Sequence, residues 1–588
     1  MEPTPDMFHA VMYPTAAFTP TLASDPSPPT GPTPWEASPH NPKNRIDSLT
    51  AVLTPTWRLD GGEMDGTRFF ATPSFALNRS PLRIDVHIPS PADHAPEVRG
   101  ILKSHAAMLV DGSQLAHLPI AQLVLRILER WSSSSRGTTA RLAELYHGMP
   151  FGSRIVIDRI CADIDAIAVH LIPNYDVEQQ WLSPAALQRM WSADLPWPEV
   201  RDLSCVQLQR QLHDAIALVT MEGHGDDELF VFKSATADCK FLYHELKLLL
   251  SMAPHANVVA RPLYIVTKRC RFGGKVGVCG FVLRYYAAGT LQQTLVARSR
   301  GGGSLALEEK FRWAREVTEA LLHIRESPAG FYSDVKLNNI IMDERADGLH
   351  AIVLDFEQRG GWYSWSPPEV FYTEYLEHVA SSPHVPEKTK EKYTAMLKKW
   401  KPDWAPKSRS VRYWNPEFGF SIAWTSLAEP ERERAQVFML GKLLWCLFEG
   451  VGSVNACVTP ETFRDELSEL HFPEFRRTPE AMRSCIRRYT SGAPEWEGRY
   501  PAVVRRGNKL FPRERYEKFG AAGCTAFEAQ EAARQWWKQE LADAERFLEN
   551  RTSKYAEGLR GRSIAALQDG RPLLKDVLRD VQEVEQEM

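Results

Sequence analysis

Apolar residues recur along this chain in two rhythms, and each predicts a kind of element. Between 206 and 286 the runs "VQLQRQL", "IALVTM", "ELFVFK", "RPLYIVTKR" and "GVCGFVLRYY" read as strands, and "KFLYHELKLLLSM" after the third has helical spacing. Five strands with one helix make a small twisted sheet carrying that helix. Further upstream "IDVHI" at 84–88 alternates as a strand, and 154–172 is strand-rich. Between them Ile120, Leu123, Val124, Ile127, Leu128 and Trp131 form one helical face, which "SSSSRGTT" ends. Beyond 305 the rhythm is helical. Phe311, Ala314, Val317, Leu321 and Ile324 keep three- or four-residue spacing, as do Tyr393, Leu397 and Trp400. The capping box "TAFE" at 525–528 predicts a helix running through Trp537, Leu541 and Leu548.

The most apolar stretch, "VFMLGKLLWCLFEGVGSV" at 437–454, is interrupted by Lys442 and Glu449 and reads as a buried core helix, not a membrane span. The chain of 588 residues, 44% apolar, is long enough for several domains with a substantial core. A net charge of −4 gives no global attraction to nucleic acid or an anionic membrane, so neither is expected as a partner. Nine cysteines without CxxC pairs suggest reduced thiols. With no secretory signal in "MEPTPDMFHAVMYP", the expected location is intracellular, cytoplasmic or nuclear. Residues 1–45 hold eleven prolines and few large aliphatics and read as a disordered, solvated tail. Asp163 and Asp165 have no further ligands nearby and read as edge or surface residues.

The chemistry concentrates in "FYSDVKLNNIIM" at 331–342, which sets Asp334, Lys336 and Asn339 among apolar residues. Lys233 ends "VFK", Glu245 lies in "YHELKLLL", Asp355 in "VLDFE" and Glu369 in "SPPE". With these pieces in order, residues 200–500 resemble the protein kinase superfamily, and the Tyr-Ser-Asp and Asp-Phe-Glu variants are similar to those of divergent fungal-type kinase-like proteins. The resemblance implies an α+β, bilobal fold: a small five-stranded lobe with one helix at 200–286 and a large helical lobe at 287–500, with an insertion at 371–430. An accessory α/β region at 46–199 precedes it, and a basic segment and helix at 501–588 follow.

What the resemblance implies for function is phosphoryl transfer from ATP with Mg²⁺ to a protein Ser/Thr hydroxyl. Asp334 would accept or orient the hydroxyl proton, and Lys336 would steady the transferring phosphate. Lys233 would contact the α/β-phosphates with Glu245 fixing its ammonium, and Asn339 and Asp355 would hold the metal. Leu283 would be the gatekeeper, with backbone groups of Arg284 and Tyr286 pairing with adenine, although a fifth strand plus turn fits those residues equally well. Such chemistry needs cations around the phosphates and hard oxygens for Mg²⁺, which is what these residue types supply.

Departures from the family pattern keep two alternatives open. Only "HDA" separates the first two strands, so the glycine-rich loop is missing, and Gly223 and Gly225 belong to the next turn. Ser333 replaces the arginine that would meet an activation-segment phosphate, and Ser364 and Ser366 read as surface serines. Glu357 stands where glycine permits a backbone flip, which makes positive φ costly there and holds the segment in one state. Gln436 replaces the aspartate that anchors the catalytic loop. Trp400, Trp404, Trp414 and Trp424 with many lysines could stack on nucleic acid, but the helical spacing favours packing on the body. The alternatives are a pseudokinase scaffold and a small-molecule phosphotransferase of the aminoglycoside or choline kind; Glu357 and the short segment to Glu369 favour the latter.

Overall fold

The computed structural model describes most of residues 56–588; 1–55, 88–118, 455–469, 553–563 and breaks of one to five residues lie outside it. The Pro-rich segment and Asp163 therefore fall outside the described residues. Asp165 is on the surface, paired with Arg130.

The architecture is mixed α+β. The first sheet has strands in the order β1 (Trp57–Gly62), β2 (Arg68–Pro73), β3 (Ile84–His87), β4 (Ser153–Asp158) and β5 (Ala168–Ile172), antiparallel except for the parallel pair β3–β4. A parallel pair needs a crossover, and α1 (Pro119–Ser134) with α2 (Thr139–Gly148) supplies it. Leu123, Val124, Ile127 and Leu128 of α1 are buried, as the spacing required. Short helices α3 (Asp176–Gln180) and α4 (Pro184–Met190) lead to the second sheet.

That sheet holds all five expected strands, β7 (Val206–His213), β8 (Ile216–Met221), β9 (Phe230–Ser234), β10 (Tyr264–Arg269) and β11 (Val276–Arg284), and a sixth, β6 (Glu199–Asp202). The order is β6-β10-β11-β9-β8-β7, so the five-stranded expectation is corrected to six. Strand β6 pairs parallel to β10 along an edge, and its sequence, "EVRD", has one apolar residue in four. Backbone pairing alone makes it a strand, and no periodicity announces it. At the other edge β7 is covered by β1: Gln211 N donates to Asp60 Oδ2 (2.8 Å) and Arg58 Nη2 to Gln209 O (2.9 Å). The N-terminal sheet thus protects an edge that would otherwise be open. Helix α5 (Cys239–Ser251) is the single helix between β9 and β10; Tyr243 Oη donates to Val278 O of β11 (2.8 Å).

The rest is largely helical. Helix α6 (Leu291–Arg300) precedes α7 (Leu307–Glu326), whose predicted face from Phe311 to Ile324 is buried. A hairpin of β12 (Ile340–Arg345) and β13 (Gly348–Val353) follows. Next come α8 (Pro368–Ser381), α9 (Glu387–Trp400), α10 (Ile422–Thr425), α11 (Glu429–Glu449) and α12 (Glu480–Tyr489). Every residue of α11 from Ala435 to Glu449 is buried. Its two charges are satisfied there: Lys442 Nζ donates to Ser364 O (2.9 Å), and Glu449 accepts from the backbone N–H groups of 476–478. Among the described residues no helix is long and apolar enough to cross a membrane. Trp404 and Trp424 are buried, Trp400 lies under Arg551 (5.1 Å), and Trp414, though exposed, sits edge-on to Phe420 (5.2 Å), so the insertion tryptophans pack on the body.

The C-terminal stretch is woven into this body. A hairpin of β14 (Val503–Arg506) and β15 (Lys509–Pro512) and helix α13 (Arg513–Phe519) lead to α14 (Ala526–Thr552). The expected capping box is present: Glu528 N donates to Thr525 Oγ1 (3.2 Å), and Thr525 N to Glu528 Oε2 (2.9 Å). Helix α14 buries Trp537, Leu541 and Leu548, with Trp537 against Tyr375 of α8 (ring centroids 5.2 Å). Helix α15 (Leu574–Glu587) inserts Leu574, Val577, Val581 and Val584 against α7, α11 and α12.

Candidate functional site

Register places the first cluster. Lys233 of β9 lies opposite Ile216 of β8 and Phe281 of β11. Alternation then puts Leu218, Val231 and Leu283 on the same face. Phe281 and Leu283 are buried, while Ile216, Leu218 and Val231 are half-buried, so a partly open apolar strip borders the lysine.

Lys233 is 6% exposed and meets three carboxylates: Glu245 Oε2 at 2.5 Å, Asp355 Oδ1 at 2.7 Å and Glu357 Oε1 at 3.2 Å. Burial opposes its charge, but the carboxylates outweigh burial and hold its pKa well above the ordinary lysine value. Burial pushes Glu245 up to about 7 against the pull of Lys233. Burial would also raise Asp355, yet the same lysine overcomes it and brings that carboxyl down to about 2.

Asp355 has φ 72 and Gln358 φ 46. Glu357 is not among the positive-φ residues, so the strain expected there is borne instead by its neighbours. Asp tolerates the left-handed region better than most side chains. Phe356 is fully buried against Tyr332 (ring centroids 5.4 Å), and its N–H donates to Glu245 Oε1 (3.2 Å).

The second cluster is local. Lys336 Nζ donates to Asp334 Oδ2 (2.5 Å), and Asn339 Nδ2 donates to Asp334 O (3.0 Å) and Oδ2 (2.9 Å). Asp334 Oδ1 is buried with no hydrogen-bond partner. Burial raises the Asp334 pKa above the usual carboxylate value, against the pull of Lys336. The clusters feel each other: Lys336 lowers Asp355, and Asp355 raises Asp334. Gln436 does anchor this loop, its Oε1 accepting from Tyr332 N (2.8 Å).

Arg284 ends β11 with its guanidinium turned to Asp343 (3.4 Å) and over the Tyr286 ring (5.1 Å), and Tyr286 is buried. Ser366 is buried and Ser364 half-buried, which corrects their reading as surface serines. The segment is folded in against α11, where a Cβ on Gly361 would lie 3.3 Å from Ser366 Oγ and 3.4 Å from Met439 Cε.

Three contributors carried no sequence signal. Arg359 pairs with Glu357 (Nε–Oε2 3.0 Å) and is electrostatically tied to Asp355 and Asp334. His244, beside Glu245, bonds Gln358 Oε1 (2.9 Å). Arg571 meets Glu369 at 2.6 Å with both side chains fully buried. Hard oxygens and ammonium groups, gathered beside an apolar strip, can hold a divalent cation and a phosphorylated ligand with an apolar ring. No family model matches the chain, and no curated protein matches it.

Proposed function

We propose that this chain transfers a phosphoryl group from Mg-ATP to a hydroxyl acceptor, a protein Ser or Thr, in a bilobal protein kinase-like fold. The small lobe is the six-stranded sheet with α5, and the large lobe is the helical body. The observation that carries this reading is the meeting of Lys233, Glu245 and Asp355 beside the Asp334–Lys336–Asn339 knot. Mg²⁺ suits the donor set, because four carboxylates (Glu245, Asp334, Asp355, Glu357) face three cations (Lys233, Lys336, Arg359) and a divalent cation relieves that acidic surplus.

Asp355 and Asn339 hold the metal through oxygen. Bound Mg-ATP supplies the transferable phosphoryl group and the counter-charge. Lys233, fixed by Glu245, contacts the α/β-phosphates. The strip of Ile216, Leu218, Val231 and Leu283 takes the adenine ring, with the backbone of Arg284 and Tyr286 at its edge. Asp334 orients the acceptor hydroxyl and takes its proton as the new O–P bond forms and the bond to the leaving nucleoside diphosphate breaks. Its raised pKa suits it to hold that proton. Lys336 steadies the transferring oxygens.

A second reading, a scaffold with weak or no catalysis, draws support from two features. The sequence joining β7 to β8 carries no glycine, and Glu357 adds a third carboxylate to Lys233. The Asp355-Phe356-Glu357 run and the short segment to Glu369 also resemble small-molecule phosphotransferases, a third reading. A thermal-shift titration of the full chain with Mg-ATP decides the main question. Saturation at about 100 times Kd stabilises by about 2.7 kcal/mol, and Lys233→Met or Asp355→Asn abolishes the shift. No shift in the wild type removes the phosphotransferase reading, and transfer assays on protein, choline and aminoglycoside acceptors identify the acceptor class.

A further inference from the structure

We propose that Gln358 is a positioning residue that fastens helix α5 to the loop carrying Asp334, so that the Lys233–Glu245 pair forms without modification of the segment between Asp355 and Glu369. Gln358 is 4% exposed, and both polar atoms of its side-chain amide are used. Nε2 donates to Ala329 O (3.0 Å) and Phe331 O (2.8 Å), the carbonyls that lead into Asp334. With both amide protons committed there, Oε1 is the acceptor for His244 Nε2 of α5 (2.9 Å), which assigns the His244 proton to Nε2. His244 Nδ1 is buried without a hydrogen-bond partner, in keeping with a neutral ring. Residue 245, next along α5, is the partner of Lys233.

Only a primary amide of this reach can do this. A Glu at 358 would set a carboxylate against two carbonyls, an Asn would be one methylene short, and a Leu would leave three buried groups unpaired. The backbone is held as well: Phe420 N donates to Gln358 O (3.0 Å), and a Cβ on Gly419 would come within 2.6 Å of Gln358 Cβ. Residues 413–420 then run across α5. Phe420 sits edge-on to Phe241 (5.0 Å) and His244 (5.5 Å), and Tyr413 to Tyr243 (5.7 Å), while Tyr413 Oη accepts from Trp191 Nε1 (3.0 Å). Helix α5 is thus held from the loop side by Gln358 and from outside by this strap, both belonging to the helical body. Of the two serines in that segment, Ser366 is buried and Ser364 half-buried.

Only the activity arm of the test rests on the phosphotransferase reading; the exchange arm does not. Hydrogen–deuterium exchange is followed on the full wild-type chain in sub-denaturing guanidinium. Amides of α5 and of residues 329–334 lose protection together if Gln358 joins them, and separate transitions overturn the proposal. In Gln358→Gly, which relieves the positive φ while removing the amide, exchange of residues 244–249 rises about tenfold or more. His244→Phe, which keeps the packing but cannot donate, does the same, and unchanged exchange in a folded variant is equally fatal. Where wild-type transfer is measurable, both variants lower kcat about tenfold with acceptor KM unchanged, and treating the wild type with phosphatase changes nothing. A phosphatase-sensitive wild type contradicts the proposal.

Discussion

Replacing Arg571 by Met tests whether the C-terminal stretch is a structural member of the helical body. The guanidinium and its partner carboxylate, Glu369, have no exposed side-chain surface. Nη1 meets Oε1 at 2.6 Å and Nη2 meets Oε2 at 3.4 Å, while Nε donates to Ser491 O (2.7 Å) and Nη2 to Leu567 O (2.8 Å). The group also lies 4.7 Å from the Phe438 ring centroid. Met fills a similar volume but leaves Glu369 buried with Gln568 Nε2 (2.9 Å) as its remaining side-chain donor. Breaking one side of a buried pair costs about 3–5 kcal/mol. An unfolding entropy of about 2.1 cal/mol/K per residue over roughly 300 cooperating residues is about 0.6 kcal/mol/K, so Tm falls by about 5–8 °C. Near-UV circular dichroism melts of the full chain read this. The double variant Glu369→Gln/Arg571→Met recovers part of the loss, because no lone charge remains. A fall under about 2 °C, or a double variant as unstable as the single losses summed, would refute the reasoning.

Three further outcomes are expected. Burial, opposed by its bond to Gln358, brings His244 down to about 4, whereas an unfolded chain titrates it at 6.5. The unfolded state therefore binds more protons between these values, and about 3 kcal/mol of stability, complete above pH 6.5, is lost as pH falls toward 4. His244→Phe should flatten that part of a pH–stability curve, and identical curves would exclude the assignment. Gln436→Leu orphans the buried Tyr332 N–H at a cost of about 1–3 kcal/mol, while Gln436→Glu keeps an acceptor and costs less; equal urea midpoints for the two would contradict this. Lys233→Met leaves Glu245, Asp355 and Glu357 without their shared cation, destabilising the chain by about 3–5 kcal/mol, and added Mg²⁺ should raise its Tm more than that of the wild type. A smaller Mg²⁺ response in the variant would show that the acidic cluster does not attract a divalent ion.

Local periodicity determined a large part of this molecule from sequence. The five strands between 206 and 284, helix α5, the buried face of α7, the core helix α11 and the capped start of α14 all lie where their spacing put them. Those patterns are written in neighbouring residues, and burial of one face needs no knowledge of the partner. The same holds for Asp334, Lys336 and Asn339, which meet within six residues. Strand β6 escaped because an exposed edge strand is stabilised through its backbone, which leaves no apolar rhythm. Lys233 and Asp355, 122 positions apart, met only because β9 and the residues after β13 converge. The pairing of His244 with Gln358 over 114 positions, and of Glu369 with Arg571 over 202, was decided by tertiary structure alone. A buried amide or guanidinium looks in sequence like any surface Gln or Arg, and only the closing of the chain around it selects its partner and takes it out of water.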